Sequence, residues 1–284
     1  MVSVAEVLAG LGCSHAPSIA HVYDGRKTEE PEWKPLFAAF DHAEEWLLSL
    51  GLDALVCIYN DHIDQYSLDA WPQFAIGVGD SFEIADEGHS PRPFPPVPGH
   101  PELASHLATE LVAAGVDVTV AHRQVVDHGI LSPLPVIDDS WAVPIVPIAV
   151  NVIFDPRPSP ARCWQMGQAL GKAIASFDAS TRVAVVGTGG LSHQLTGPDF
   201  GRVCPEWDRE FLRLIEESPE ELLSYSLDDF ARLGGEHSVE IVQWMAMRAA
   251  LPKGSTTTFV FYYPHQIMGY GIAGFSPPAR RVEV

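Results

Sequence analysis

The sequence predicts an α/β fold: a single large domain with a central mixed β-sheet flanked by helices, and an active site at the strand ends. Three observations carry this. Short apolar runs ended by polar residues alternate with segments of helical periodicity, as buried strands and their covering helices do. The 284 residues are 46% hydrophobic and 19% charged, enough apolar material for a full core. Four histidines fall at the ends of these strands or in the loops just beyond, the edge at which open α/β sheets bind ligands.

Residues 5–12 and 53–59 read as buried strands, with helical periodicity over 33–50 between them. A helix over 101–114, with Pro101 in its first turn, leads into an alternating strand at 116–121. Residues 142–152 form a proline-broken apolar run and 161–175 a helix. The β-branched run 182–186 stops at Gly187-Thr188-Gly189-Gly190. Helices near 206–217 and 237–250 follow, and a β-rich stretch at 256–275 closes the sheet. With no internal repeat, residues 1–284 read as one catalytic domain. Residues 86–100 are dense in proline and glycine, which makes a loop with stiff extended pieces of the kind that frames a site.

Charge excludes several partners. With 37 acidic against 17 basic side chains and a formal charge of -20, the surface repels nucleic-acid phosphates and anionic lipid headgroups. Cys13, Cys57, Cys163 and Cys204 show no CxxC spacing and suit free thiols in a reducing compartment. The N-terminus has no basic n-region and no apolar run approaches the ~18 residues of a spanning helix, so neither export nor membrane insertion is expected and the location is read as cytoplasmic.

The four strand-end histidines are His15, His62, His128 and His193. Alone, each would read as a hydrogen-bonded structural residue; four in equivalent positions together point to chemistry. His21, His42, His89, His100, His106, His122, His237 and His265 lack that placement and read as surface or packing residues. Glu240 adds an independent signal, since on a helix it shares a stripe with Trp244, Met247 and Leu251 and points to the apolar side. A buried carboxylate needs a cation or a proton; the cation is a metal, or Arg248 folded back as a salt bridge. Two imidazoles and a carboxylate make the facial triad of non-haem Fe(II), with open positions for a bidentate catecholate and O2; zinc more often takes four ligands in a tetrahedron. Opening a catechol also needs a base and an acid, work suited to the two other histidines.

These residues stand in a pattern. Ser14-His15-Ala16-Pro17, Tyr59-Asn60-Asp61-His62, Asp127-His128-Gly129, Gly187 through Leu195 and Val239-Glu240 followed by Trp244 resemble the large (beta) subunit of protocatechuate 4,5-dioxygenase, a class III (type II) extradiol enzyme. Phe74-Ala75-Ile76-Gly77, Pro91-Arg92-Pro93, Gly99-His100-Pro101 and Val150-Asn151-Val152 extend the likeness over nearly the whole chain. The resemblance implies that His15, His62 and Glu240 hold Fe(II), that His193 is the acid/base catalyst, and that His128 contacts a substrate hydroxyl. It implies O2-dependent extradiol (meta) cleavage of a protocatechuate- or gallate-like acid derived from lignin.

The likeness departs in two places. Where the family carries a His-Ile-Pro-Ala-Ser stretch contacting the ring carboxylate, this chain reads Tyr263-Pro264-His265-Gln266-Ile267, so Tyr263, His265 and Tyr270, with Tyr262 nearby, become candidate substrate-binding residues. The family also pairs this subunit with a small helical one; here either such a partner or a homodimer is expected to close the site. The competing readings are a zinc-dependent hydrolase on a related scaffold, a dioxygenase for a non-carboxylated, larger or aminophenol substrate, and a catalytically silent relative.

Overall fold

The computed structural model describes residues 4–88, 90–177 and 180–278; of the positions read above, His89 and residues 1–3 lie outside them. The first half runs β1 (Glu6–Cys13), α1 (Pro17–Asp24), α2 (Lys34–Ser49), β2 (Ala54–Tyr59), β3 (Phe74–Gly77), β4 (Ser81–Ile84), β5 (Val97–Pro98) and α3 (Pro101–Ala113). Next come β6 (Thr119–Ala121), β7 (Val125–Val126), α4 (His128–Leu131), α5 (Leu134–Ile137), β8 (Ile145–Val150), α6 (Pro160–Ala175) and β9 (Arg182–Thr188). The chain continues through α7 (Pro205–Glu217), α8 (Leu227–Gly234), α9 (Val242–Ala250), β10 (Thr256–His265) and β11 (Met268–Ser276).

Eight strands form one mixed sheet in the order β10-β11-β1-β9-β2-β8-β3-β6, so the expected fold class holds. Its centre, β1, β9, β2 and β8, is parallel. The long hairpin β10–β11 adds to β1 antiparallel and closes that edge. A second, three-stranded sheet takes β5-β4-β7.

Central strands read as continuous apolar runs because both their faces are covered. In β2, Ala54, Val56 and Ile58 enter a core shared with α3, α6, α7 and α9, while Leu55, Cys57 and Tyr59 enter a second core under α1, α2, α4 and α5. The helix that matters for the site, α9, is seated by close approach. A Cβ added at Gly167 or Gly171 of α6 would come within 2.1 or 2.3 Å of the Ala246 or Ala250 carbonyl. Glycine at one-turn spacing therefore lets the two helix backbones touch.

Two expected elements differ. The strand expected over 116–121 shrinks to Thr119–Ala121 because Val116 N–H donates to Leu111 O (2.9 Å) and belongs to the turn leaving α3. The helix expected over 237–250 begins as a 3-10 turn, Glu236–Ile241, and becomes α-helical only at Val242. There the Ser238 hydroxyl, 2.8 Å from both the Phe230 and Gly235 carbonyls, ties the chain back and competes with the α ladder. Glu240 is buried all the same, as are Trp244, Met247 and Leu251, the last of them the residue that caps the helix end. Helix α8, which periodicity does not reveal, carries a capping box between Ser226 and Asp229. The four cysteines are free thiols, and no helix of the described residues is long and apolar enough to cross a membrane.

Candidate metal centre and active site

Because β1, β9 and β2 are parallel neighbours, their C-terminal ends meet at one edge. His15 follows β1, His62 follows β2, and the turn Gly189-Gly190 follows β9. His128 arrives differently, as the first residue of α4 after β7 of the small sheet, and His193 sits in the loop after β9. The backbones of Gly189 and Gly190 are left-handed (φ 123° and 61°), a conformation that costs glycine little, and this brings Gly190 N–H to 2.8 Å from Glu240 Oε2.

Each imidazole is oriented by a partner on its Nδ1 side. Thr188 donates its hydroxyl hydrogen to Gly129 O (2.7 Å), so its oxygen receives Nδ1–H of His15 at 3.0 Å. That order leaves His15 Nε2 as a bare lone pair; it is buried without a hydrogen-bond partner, 3.3 Å from Glu240 Oε2. Asp127 Oδ2 accepts from both the backbone N–H (2.6 Å) and Nδ1 (3.0 Å) of His62. His62 Nε2 then lies 2.8 Å from the Asn60 side-chain amide and 3.8 Å from Glu240 Oε1. The His128 ring stacks on His62 with centroids 3.7 Å apart, and its Nδ1 pairs with Glu87. His193 donates Nδ1–H to Leu191 O (3.0 Å) and sets Nε2 3.9 Å from Glu240 Oε2.

Electrostatics follow from this packing. Burial is the largest influence on His15 and holds it below the ordinary imidazole value despite Glu240. Burial also opposes charge on His62, but Asp127 and Glu240 together outweigh it and raise that imidazole to about 10. Asp127 is likewise disfavoured as an anion by burial, yet His62 and His128 bring it down to about 2. Burial would push Glu240 up, and His15, His62 and His193 instead hold it well below the carboxylate range.

The residues fit a divalent cation. Ring nitrogens of His15, His62 and His128 lie within 4.8 Å of one another, beside a carboxylate only 6% exposed. The alternative cation, Arg248, is engaged elsewhere: its guanidinium donates to Ile215 O and Ser255 O. Among the described residues Glu240 thus faces imidazoles and no Lys or Arg. An orphaned buried imidazole nitrogen beside a buried carboxylate, with outer nitrogens held by Thr188 and Asp127, is the arrangement of metal-binding histidines.

All five residues singled out for chemistry from the sequence therefore come together. Tyr263, His265 and Tyr270 gather instead around Trp33: His265 and Tyr270 pack edge-on to it, Tyr263 stacks on His265 and donates to Glu32 O, and Tyr270 OH pairs with Ser18 Oγ at 2.8 Å. Sequence reasoning missed the supports. Thr188 and Asp127 stand beside glycines and histidines with nothing in the sequence to mark them as supports, and Glu87 reaches His128 from the edge of the proline-rich loop. His237, read as surface or packing, lies with its ring 5.3 Å from that of His193 and accepts from Leu195 N–H at 3.3 Å.

Residues 9–273 match the family model described as the catalytic LigB subunit of aromatic ring-opening dioxygenase. A gallate dioxygenase of Pseudomonas putida is 39% identical over 189 residues, 66% of this chain and 56% of that protein, so the match spans little more than half of it. A 2,3-dihydroxyphenylpropionate/2,3-dihydroxicinnamic acid 1,2-dioxygenase of Rhodococcus jostii is 29% identical, covering 83% of this chain and 89% of its own. Among solved structures, the uncharacterized protein JW3007 from Escherichia coli K12 superposes with a TM-score of 0.59 at 15% identity, over 95% of this chain and all of that one; this likeness bears on the fold alone.

Proposed function

The chain belongs to the LigB family of aromatic ring-opening dioxygenases, and on that premise we propose that it is an Fe(II)-dependent extradiol dioxygenase acting on a catechol that carries an acid group. The observation that carries the reading is the convergence of the unpartnered His15 Nε2 and of His62 Nε2 on the buried Glu240 carboxylate. His15, His62 and Glu240 would hold the metal as a two-histidine, one-carboxylate triad. The substrate class follows the relatives, whose names specify gallate and dihydroxyphenylpropionate.

When bound, Fe(II) supplies chelation of the two ring hydroxyls and electron exchange with O2. The chain's own residues supply the proton chemistry. His193, with its Nδ1–H committed to Leu191 O, presents a basic Nε2 that takes a proton from a ring hydroxyl and returns it as the ring opens. His128, held at Nδ1 by Glu87, leaves Nε2 for the second hydroxyl. Its ring and that of His62 are the partly exposed members of the cluster, so substrate enters over them. Tyr270, fixed by Ser18 on α1 just after His15, stands opposite Tyr263 across the β10–β11 hairpin, with His265 at its turn; these three are the candidates for contact with the ring substituent.

The test is anaerobic reconstitution with Fe(II), metal analysis, and oxygen-electrode assays on protocatechuate, gallate and unsubstituted catechol, with the coloured ring-fission product followed optically. Oxygen uptake with that product is expected, with the acids preferred. Fully iron-loaded protein that consumes no oxygen with any of them overturns the reading.

A further inference from the structure

Asp208 lies in the first turn of α7, outside the cluster just described, and is 1% exposed with no Lys or Arg partner among the described residues. Its environment consists of donors. Oδ1 accepts the backbone N–H of Ser192 at 2.8 Å; Oδ2 accepts the Ser192 hydroxyl at 2.6 Å and the Tyr262 hydroxyl at 2.7 Å. The Ser192 oxygen in turn accepts Cys204 N–H (2.8 Å), so its single hydrogen is free to go only to Asp208. Ser192 O accepts Gly269 N–H at 2.9 Å. Every polar group of Ser192 is committed, and the next residue is His193. Three donors and no hydrogen of its own to place make the ionised carboxylate the form that fits, and the helix N-terminus favours that anion.

We propose that Asp208 is the positioning residue for His193: by holding Ser192 at two atoms, its backbone N–H and its hydroxyl, it fixes the Gly190–His193 turn so that His193 keeps Nδ1–H on Leu191 O and Nε2 toward Glu240. The proposal rests on the reading of His193 as the proton-transferring group. Asp208→Asn keeps the size but turns an NH2 toward a donor, so the turn loses its lock. Ser192→Ala removes the hydroxyl link alone. Tyr262→Phe removes the third donor without touching Ser192, and separates positioning of the turn from simple stapling of β10.

Two measurements decide it on full-length protein. In metal-free protein with 15N-labelled histidine, the His193 ring, assigned with His193→Gln, shows one tautomer with hydrogen on Nδ1; Asp208→Asn and Ser192→Ala shift it toward a mixture, and Tyr262→Phe does not. In Fe(II)-loaded protein, Asp208→Asn lowers kcat at least thirtyfold with KM and iron content within twofold of wild type, and Ser192→Ala does so less. An unchanged His193 tautomer in Asp208→Asn overturns the proposal, as does an unchanged kcat, or an equal tautomer shift in Tyr262→Phe. If wild type opens no catechol, the ring-opening reading fails and the tautomer measurement still decides the role of Asp208.

Discussion

Asp127 grips His62 twice, through the backbone N–H at 2.6 Å and Nδ1 at 3.0 Å, while its other oxygen caps α4 at Gly129 N–H (2.8 Å). One buried carboxylate thereby sets the orientation of His62 and the start of the helix that carries His128. Outer partners of metal-binding histidines typically contribute about 10–100-fold to affinity or activity. Asp127→Asn is therefore expected to weaken Fe(II) binding by about that factor, read by competition titration against a chelator; an unchanged affinity would show that His62 needs no such support.

The same pair gives pH a direction. In the metal-free protein His62 titrates at about 10 and Asp127 at about 2, against ordinary values of about 6.5 and 3.9. The raised imidazole contributes stability that is complete below about 6.5 and lost as pH climbs through 10; the lowered carboxylate contributes stability complete above about 3.9 and lost as pH falls through 2. Thermal unfolding of metal-free protein should show this contribution flat between those limits and falling on either side, and Asp127→Asn should flatten both slopes. Because a metal must displace the His62 proton, apparent affinity should also rise as much as about tenfold per pH unit from 6 to 8. Affinity independent of pH would count against His62 as a ligand.

Glu240→Gln keeps the shape and the acceptor for Gly190 N–H but removes the charge. Iron content after reconstitution should drop to near zero, and oxygen consumption with it, while the circular dichroism spectrum of the metal-free protein stays that of wild type. A variant that retains iron and rate would sink the ligand assignment.

Helix α9 sits where it does because α6 offers glycine. Gly167→Ala would place a methyl 2.1 Å from Ala246 O, an overpacking that typically costs about 1–3 kcal/mol. Urea unfolding should show that loss with little change in m-value, and the variant should bind iron more weakly because α9 continues directly from the turn that carries Glu240. Full stability would mean that the helices can part without cost.

Much of this was legible in the chain. Apolar runs such as 53–59 and 182–186 read as strands covered on both sides, and the polar residues that end such runs fall at the ligand-binding edge of an open α/β sheet, so His15 and His62 were expected at one edge. Glu240 was legible because a charge on an apolar stripe demands a partner, even though its turn proved to be 3-10. The supports were not legible. Thr188 reaches across to His15 over 173 residues, Asp127 to His62 over 65, and Glu87 to His128 over 41; Asp208 closes on Ser192 from a neighbouring helix. Such residues look in sequence like any polar residue in a loop or at a helix start. Periodicity records which face of an element is buried, and so determines the layers and the edge that carries chemistry. Hydrogen-bond partners are chosen by distance in three dimensions, and so only the folded chain decided which carboxylate orients which imidazole.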